Sequence, residues 1–191
     1  MSILIIYAHP QTEGFCSYIF ENIKKILSNK KIDFEILDLY KMNYDPILKK
    51  DELYTSGKKK ISKINKDIQD KIKKSEKIIF IYPVWWGSMP GILKGFLDRV
   101  FTPGFGFSFS KSKTIRFIPK KNLKGKKALV FMTAGSPRIV YFLTANPPKR
   151  MIKTFTLGLC GIETKVIQIF NARNLNEKKK NEIKKKIKVL V

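Results

Sequence analysis

KIIFIYPVWWGSMPGILKGFLDRV, residues 77–100, is the stretch that decides the fold. The run from Lys77 to Tyr82 predicts a strand buried on both faces, because a strand with one wet face would alternate apolar and polar residues. A loop rich in aromatic residues follows from Pro83 to Pro90, and Pro90 suits the first turn of a helix. The apolar residues beyond it recur at helical spacing and predict an inward-packing helix: Ile92, Leu93, Phe96, Leu97 and Val100.

The same strand-and-helix unit recurs along the chain. Four more apolar runs predict strands, at Ser2–Ala8, Phe34–Leu39, Ala128–Thr133 and Lys165–Phe170. Helical spacing predicts helices from Phe15, Ile19, Ile23 and Ile26, from Ile61, Ile64, Ile68 and Ile72, from near Pro147, and from Leu175 to Leu190. Buried strands joined by helical crossovers predict an α/β fold of three layers. We expect a five-stranded parallel sheet of order 2-1-3-4-5 with helices on both faces.

Length and composition predict one domain over residues 1–191, with no metal site. The chain has a single histidine and two unpaired cysteines, which argues against zinc and favours a reducing, cytoplasmic location. The start, MSILIIYAHP, lacks the basic region of a signal peptide. No apolar run approaches the ~20 residues that span a bilayer.

The net charge of +24 comes almost entirely from lysine, with only five arginines in the chain. Base and phosphate recognition favours arginine forks, so we expect a lysine-biased composition and no specific binding of nucleic acid. A positive surface would still attract anionic ligands such as a flavin phosphate or a nicotinamide dinucleotide.

Ligands of such sheets bind beyond the carboxyl ends of the strands, beside strand 1. This rule selects the loops Ala8–Ser17, Pro83–Met89 and Thr133–Tyr141. The first loop enters a helix whose free N–H groups favour an anion, and it lacks the glycine patterns of ATP-type and nicotinamide Rossmann loops. In an extended second loop, one of Trp85 and Trp86 would be core and the other would line a cleft. Tyr141, in the third loop, is either a hydrogen-bond donor or a packed tyrosine.

Several motifs occur in the order of one known family. They are YAHP at 7–10, DLYKMNYDPIL at 38–48, PVWWGSMPGILKGFLDRVF at 83–101, and TAGS at 133–136 followed by Tyr141. From about Ile3 to Tyr141 the chain resembles the NAD(P)H:quinone oxidoreductases, which have a flavodoxin-like fold. Some short bacterial members of that family accompany potassium-efflux systems.

The resemblance implies a flavin, FMN rather than FAD because the tail is short, and NAD(P)H as the electron donor. The phosphate would lie on His9 and on the backbone of Gly14, Phe15, Cys16 and Ser17. Pro83, Val84, Trp85 and Trp86 would lie along the isoalloxazine. Thr133, Ala134, Gly135 and Ser136 would bind its pyrimidine edge, with Tyr141 as the catalytic donor. Phe105 or Phe107 would complete a flat slot for a quinone or another aromatic acceptor.

The resemblance also implies a homodimer and leaves two other functions open. One is a flavin-bound regulatory subunit of a membrane ion-efflux system, and the other is a one-electron flavodoxin-like carrier. Larger relatives carry a histidine shortly after the Tyr141 position, but here residues 144–148 are TANPP. Any proton relay must therefore use Tyr141 or water.

Overall fold

The computed structural model describes residues 2–56, 60–109 and 119–190, and it confirms the predicted parallel sheet. Its strands are β1 Ile3–Tyr7, β2 Phe34–Asp38, β3 Lys77–Pro83, β6 Lys127–Thr133 and β7 Glu163–Ile169. They lie in the order β2-β1-β3-β6-β7, and every neighbouring pair is parallel. Two short strands, β4 Phe107–Ser108 and β5 Lys120–Lys121, form a separate antiparallel pair.

Helices cover both faces of this sheet. They are α1 Phe15–Asn29, α2 Lys63–Lys74, α3 Gly91–Val100, α4 Arg138–Leu143, α5 Pro147–Arg150, α6 Gly158–Cys160 and α7 Glu177–Leu190. A π-helical segment, Met151–Leu157, joins α5 to α6, and two 3-10 turns lie at Lys50–Glu52 and Tyr54–Ser56. Helices α1 and α7 pack on one face, whereas α2, α3 and the segment around Ile152 pack on the other.

The unbroken apolar strands are explained by two separate hydrophobic cores. In β1, Ile3 and Ile5 enter the core beneath α1, and Leu4 and Ile6 enter the core beneath α3. Successive strand side chains point to opposite faces, so a strand between two helical layers needs apolar residues at every position. Each fully buried Ile, Leu or Phe contributes about 1.5–3 kcal/mol to stability.

The second predicted helix begins later than its sequence pattern indicated. Ser62 caps α2, accepting a hydrogen bond at its hydroxyl from the Asn65 N–H (3.4 Å), so Ile61 precedes the helix. Both Ile61 and Ile64 are exposed, which makes their predicted inward orientation wrong. The buried face instead combines Ile68 and Ile72 with Asn65 and Gln69.

Each of those two buried amides finds a hydrogen-bond partner, although Asn65 Nδ2 has none among the described residues. The Tyr44 hydroxyl donates to Asn65 Oδ1 (2.8 Å), and Gln69 Nε2 donates to the Val100 carbonyl (2.8 Å). These bonds attach α2 to its neighbours, a choice that periodicity alone does not indicate.

Near the end of α3, Arg99 makes ion pairs that hold the fold together. Arg99 is buried, and its Nε and Nη2 each donate to a carboxylate oxygen of Glu52 at 2.8 Å. Arg99 Nη1 also bonds the Asp45 carbonyl, so one guanidinium holds the loop that follows β2. Burial acts to raise the pKa of Glu52, but the hydrogen bonds from Arg99 and the Lys49 N–H and the charges of both residues together outweigh it, and the pKa lies below the ordinary 4.5.

We expect Arg99→Met to lower the free energy of unfolding by about 3–5 kcal/mol, because Glu52 is left buried without its partner. Lys94→Met is the matched control. It removes one cation from the exposed Lys94–Asp98 pair of the same helix and should cost less than about 1 kcal/mol. The Arg99–Glu52 pair makes its full contribution to the free energy of unfolding at pH values above the ordinary pKa of Glu52. That contribution is lost as the pH falls through the lowered pKa that Glu52 has in the folded state. Urea unfolding at several pH values measures both effects, and equal losses in the two variants would contradict this assignment.

Candidate functional site

The three selected loops meet at the carboxyl edge of the sheet, because β1, β3 and β6 are neighbours. The Val84 N–H donates to the Thr133 carbonyl at 2.7 Å, joining the second loop to the third. Cys16 Sγ lies 3.3 Å from Thr133 Oγ1, which joins the first loop to the third. The rings of His9 and Trp85 are 6.2 Å apart between centroids. The three loops therefore lie side by side at one edge of the sheet.

The first loop presents an uncapped helix N-terminus. Gly14 occupies the cap position of α1 with φ 95°, and no side chain caps the helix there. A Cβ built on Gly14 would meet no atom within 4 Å, so the space beside it is open. The free N–H groups and the helix dipole make this a place for an anion. The exposed Glu13 side chain is the one unfavourable charge in the loop.

The polar side chains of that loop bond mainly within it. His9 Nδ1 accepts from the Gln11 N–H at 3.1 Å, and the Ser17 hydroxyl donates to the Thr12 carbonyl at 2.6 Å. Phe15 and Cys16 point into the core beneath α1. Any contribution of Phe15 and Cys16 to anion binding must therefore come from their backbone.

The second loop is a tight turn, not the extended segment expected. Trp85 and Ser88 exchange backbone hydrogen bonds at 3.0 and 2.9 Å, and Trp86 and Gly87 both have positive φ, of 50° and 71°. This turn exposes both indole rings to solvent, so the prediction that one tryptophan lies in the core is wrong. Trp85 is 40% exposed and Trp86 is 104% exposed. A bulky residue at positive φ is unfavourable, and it places a large apolar ring in water beside the edge.

The third loop is shorter than predicted, since Tyr141 lies in helix α4. Ala134 is buried, Gly135 is exposed, and the Ser136 carbonyl accepts from the Asn171 N–H. The Tyr141 ring lies 5.5 Å from that of Phe170. Burial raises the pKa of Tyr141, opposed by a hydrogen bond with the Ser136 side chain. The phenol therefore stays protonated at neutral pH and is available as a donor.

Tyr141 borders a cleft of 520 Å³ that is also lined by two basic side chains. Its lining is Arg138, Tyr141, Phe142, Ala145, Asn146, Lys149, Val166, Gln168 and Phe170. The side-chain amides of Asn146 and Gln168 hydrogen-bond each other at 2.6 and 3.1 Å and form part of its wall. Asn146 lies within the TANPP segment, where larger relatives carry the histidine.

The phenylalanines expected to complete the slot lie elsewhere. Phe105 is buried and lines a depression at the opposite, amino-terminal edge of the sheet. Phe107 lines a cleft between α3 and the π-helical segment. Both are excluded from this site because the chain after α3 turns away from the carboxyl edge, a course that composition does not reveal.

Sequence reasoning missed several residues beside the third loop. Arg138, Lys149 and Phe170 line the cleft, and a Cβ on Gly135 would lie 3.9 Å from Arg173 Nε. Phe170 and Arg173 follow the carboxyl end of β7, so the rule that selected the other loops also applies to this one. Across the described ranges, no group of three or more His, Cys, Asp and Glu side chains is placed to hold a metal. Nor does any helix within those ranges have the length and apolar content needed to cross a bilayer.

Comparisons with known proteins agree with this fold. A family model described as a flavodoxin-like fold matches residues 1–190. An uncharacterized NAD(P)H oxidoreductase of Haemophilus influenzae is 31% identical over 183 residues, covering 94% of this chain and 88% of that protein. Human ribosyldihydronicotinamide dehydrogenase (quinone) is 29% identical over 189 residues, covering 87% of this chain and 80% of that protein.

A solved structure extends the comparison to a flavin complex. The FMN-dependent NADH-azoreductase of Bacillus anthracis, in complex with FMN, aligns with a TM-score of 0.69 over 99% of this chain and 98% of that one. At 17% identity this likeness shows the fold alone.

We expect both cysteines to resist an aromatic disulfide reagent in the folded protein at about pH 8, where an ordinary thiol is partly ionised. Burial raises the pKa of Cys16 to about 12, against a lowering by its bond to Thr133, and burial raises that of Cys160 to about 11. Both thiols should react once guanidinium unfolds the chain. Release of the coloured thiolate reports the reaction, and rapid modification of Cys16 before unfolding would show that the loop junction is open.

Proposed function

The chain belongs to the NAD(P)H:quinone oxidoreductases of flavodoxin-like fold and is an oxidoreductase, and from this premise we propose its reaction. We propose that it transfers two electrons, as hydride, from NAD(P)H through a bound flavin to a quinone or a similar flat aromatic acceptor. One observation carries the proposal. An uncapped helix N-terminus, two outward tryptophans and a buried, protonated tyrosine converge on one edge of the sheet.

The residues at this edge fit FMN. The phosphate would lie on the free N–H groups at Gly14–Ser17, in the open space beside Gly14 and near His9. The isoalloxazine would lie along Pro83–Trp86, with the backbone of Thr133–Ser136 at its pyrimidine edge. A flavin held by these residues would supply the hydride-transfer chemistry between the nicotinamide and the acceptor. FMN is the flavin that we propose, and the Bacillus anthracis azoreductase, a protein of the same fold, holds FMN in its solved structure.

In this scheme the chain's own residues bind and orient the flavin and its substrates and shield them from water. The Tyr141 hydroxyl would donate a hydrogen bond to the flavin oxygen at the pyrimidine edge, where negative charge develops on reduction. Trp85 and Trp86 would offer apolar faces to flat rings and exclude water from one side. Arg138 and Lys149, in the cleft beside Tyr141, would attract the dinucleotide phosphates of NAD(P)H.

The homodimer that the resemblance implies would use exposed apolar side chains near this cleft. Exposed apolar side chains concentrate between residues 139 and 159, at Ile139, Val140, Phe142, Leu143, Met151, Phe155 and Leu159. Patches of this kind mark interaction surfaces. We propose that a second copy of the chain covers them, which would bring its own surface up to the cleft lined by Tyr141 and Phe142.

The purified protein should carry or take up flavin, and NAD(P)H oxidation with a quinone should follow ping-pong kinetics. Tyr141→Phe should lower turnover by about 100-fold, since it removes one donor to the developing charge, while the visible spectrum of the bound flavin persists. Tyr18→Phe is the matched control, because the Tyr18 hydroxyl has no hydrogen-bond partner among the described residues. The measurements are a visible absorption spectrum, identification of the released cofactor and steady-state rates.

Each failure of that experiment has a distinct meaning. Absence of any flavin affinity would overturn the proposed function. One-electron reduction without turnover of NAD(P)H would indicate a carrier, and co-purification with a membrane channel without important turnover would indicate the regulatory subunit. If Tyr141→Phe lowers the rate no more than Tyr18→Phe does, Tyr141 is not the proposed hydrogen-bond donor.

We expect Phe142→Glu combined with Leu143→Glu to convert a dimer to a monomer. The two side chains are 79% and 75% exposed, so the charges should be harmless in the free chain and costly in an apolar interface. Val189→Glu, an 84% exposed position on α7, is the control and should not change assembly. Sedimentation velocity measures the assembly state. A wild-type protein that is monomeric across a concentration series would refute the dimer.

A further inference from the structure

A second concave surface lies at the amino-terminal edge of the sheet, opposite the flavin site. It is a depression of 1160 Å³ whose lining includes eight lysines: Lys73, Lys74, Lys77, Lys120, Lys121, Lys124, Lys126 and Lys127. We call it the lysine basin. The proposed function uses none of these residues. Lys77 and Lys127 begin β3 and β6, whose seven residues at about 3.3 Å each put roughly 20 Å between the basin and the loops at the other edge.

The fold brings these lysines together from two distant segments of the chain, residues 73–77 and 120–127. Lys77 and Lys127 are register partners at the starts of adjacent strands. Lys73 and Lys74 end α2, Lys120 and Lys121 form β5, and Lys124 and Lys126 flank the turn at Gly125. Gly161 lets β5 and this last turn approach closely, since a Cβ there would lie 2.8 Å from Lys121 Cβ and 3.3 Å from the Lys124 backbone N. The cluster therefore comes from the tertiary structure and not from one lysine-rich run.

The charge inside the lysine basin is strongly unbalanced. Glu76 is the one carboxylate among its described lining residues, and Glu163 lies next to Lys127 as its register partner in β7. Six of the eight lysines are exposed, whereas Lys77 and Lys126 are half-buried. Burial lowers the pKa of Lys77, and the charges of Lys127 and Lys30 lower it further. Like charges thus already repel each other here, and an anion that binds would relieve that repulsion.

One lysine is a fixed part of the wall. Lys126 Nζ donates to the carbonyls of Lys73 and Ser75, each at 2.7 Å, and so ties the turn at Gly125 to the end of α2. The Leu123 N–H donates to the Cys160 carbonyl at 2.9 Å, which holds the other side of the same turn. The concave shape is therefore set before any ligand arrives, which reduces the entropy cost of binding.

The shape and chemistry of the lysine basin restrict what can occupy it. A bilayer surface is flat and would meet only the rim of a depression. A nucleic-acid duplex is about 20 Å across, and proteins that recognise it use arginine as much as lysine. Proteins that bind single strands stack the bases on exposed aromatic rings. Among the described lining residues the only ring is that of Phe105, which is 7% exposed. Lysine ammonium groups without a stacking platform suit bare phosphate groups as point charges.

We propose that the lysine basin is a binding site for a soluble anion that carries several closely spaced phosphates, such as a short condensed polyphosphate. Several ammonium groups facing one depression can contact successive phosphates at once, which a single phosphate cannot exploit. Occupation would also stabilise the folded chain, because it neutralises a cluster of repelling charges.

The test uses inorganic tripolyphosphate and the full-length protein in its flavin-loaded form. Calorimetry should give saturable binding that weakens with added salt and is at least about tenfold tighter than binding of inorganic monophosphate. The combined variant Lys120→Gln, Lys121→Gln and Lys124→Gln should weaken tripolyphosphate binding by about tenfold or more. These three side chains are exposed, so the fold and the flavin spectrum should be unchanged.

A control with the same net charge separates the site from the overall field of the protein. Lys25→Gln, Lys178→Gln and Lys188→Gln remove three exposed lysines from α1 and α7, on the other side of the sheet, and should change affinity less than about twofold. Equal weakening in both triple variants would overturn the proposal, because the binding would then be diffuse.

Two other ligands give the remaining outcomes. If duplex DNA or vesicles of phosphatidylglycerol bind more tightly than tripolyphosphate and lose affinity in the basin variant, the occupant is a macromolecular or membrane surface and the proposal fails. If neither shows that dependence while tripolyphosphate does, the assignment stands. Since the readout is anion binding, its outcome is independent of whether the flavin site turns over NAD(P)H.

Discussion

Burial of β3 on both of its faces is the constraint on which the rest of the structure depends. Its residues Ile78 to Tyr82 are fully enclosed, alternately by the core beneath α3 and by the core beneath α1. A strand in that position needs a helical layer on each side, and right-handed crossovers then make its neighbours parallel. The strand order and the two cores follow from this requirement.

Parallel strands also fix where the chemistry can be. All carboxyl ends lie at one edge, so the loops after β1, β3 and β6 meet there although residues such as Cys16 and Thr133 are 117 positions apart. The same geometry collects the amino ends at the other edge, where Lys77 and Lys127 begin adjacent strands. One edge therefore combines free N–H groups with outward aromatic rings, and the other combines lysines around a depression. The molecule has two chemically different ends because its strands share one direction.

Local backbone geometry decides how the proposed flavin edge is exposed. Trp86 has a φ of 50°, and the strained turn presents its ring to solvent instead of to the core. Such strain is tolerated where the surroundings fix the chain, and here Val84 is held by Thr133 while Trp85 and Ser88 bond each other. Buried Arg99 and Glu52 hold the segment after β2 in a comparable way, through hydrogen bonds and not through apolar contacts.

The sequence by itself determined the five strands, their order and the three loops that meet at the carboxyl edge. It could do so because continuous apolar runs and helical spacing are local patterns, and because the topology that joins them allows few alternatives. Only the tertiary structure decided that both tryptophans face outward, that Tyr141 lies in a helix against Phe170, and that Phe105 belongs to the opposite edge. The lysine basin is of the same kind. Its members look like ordinary solvated lysines in sequence, and only packing between distant segments gives them a common concave surface.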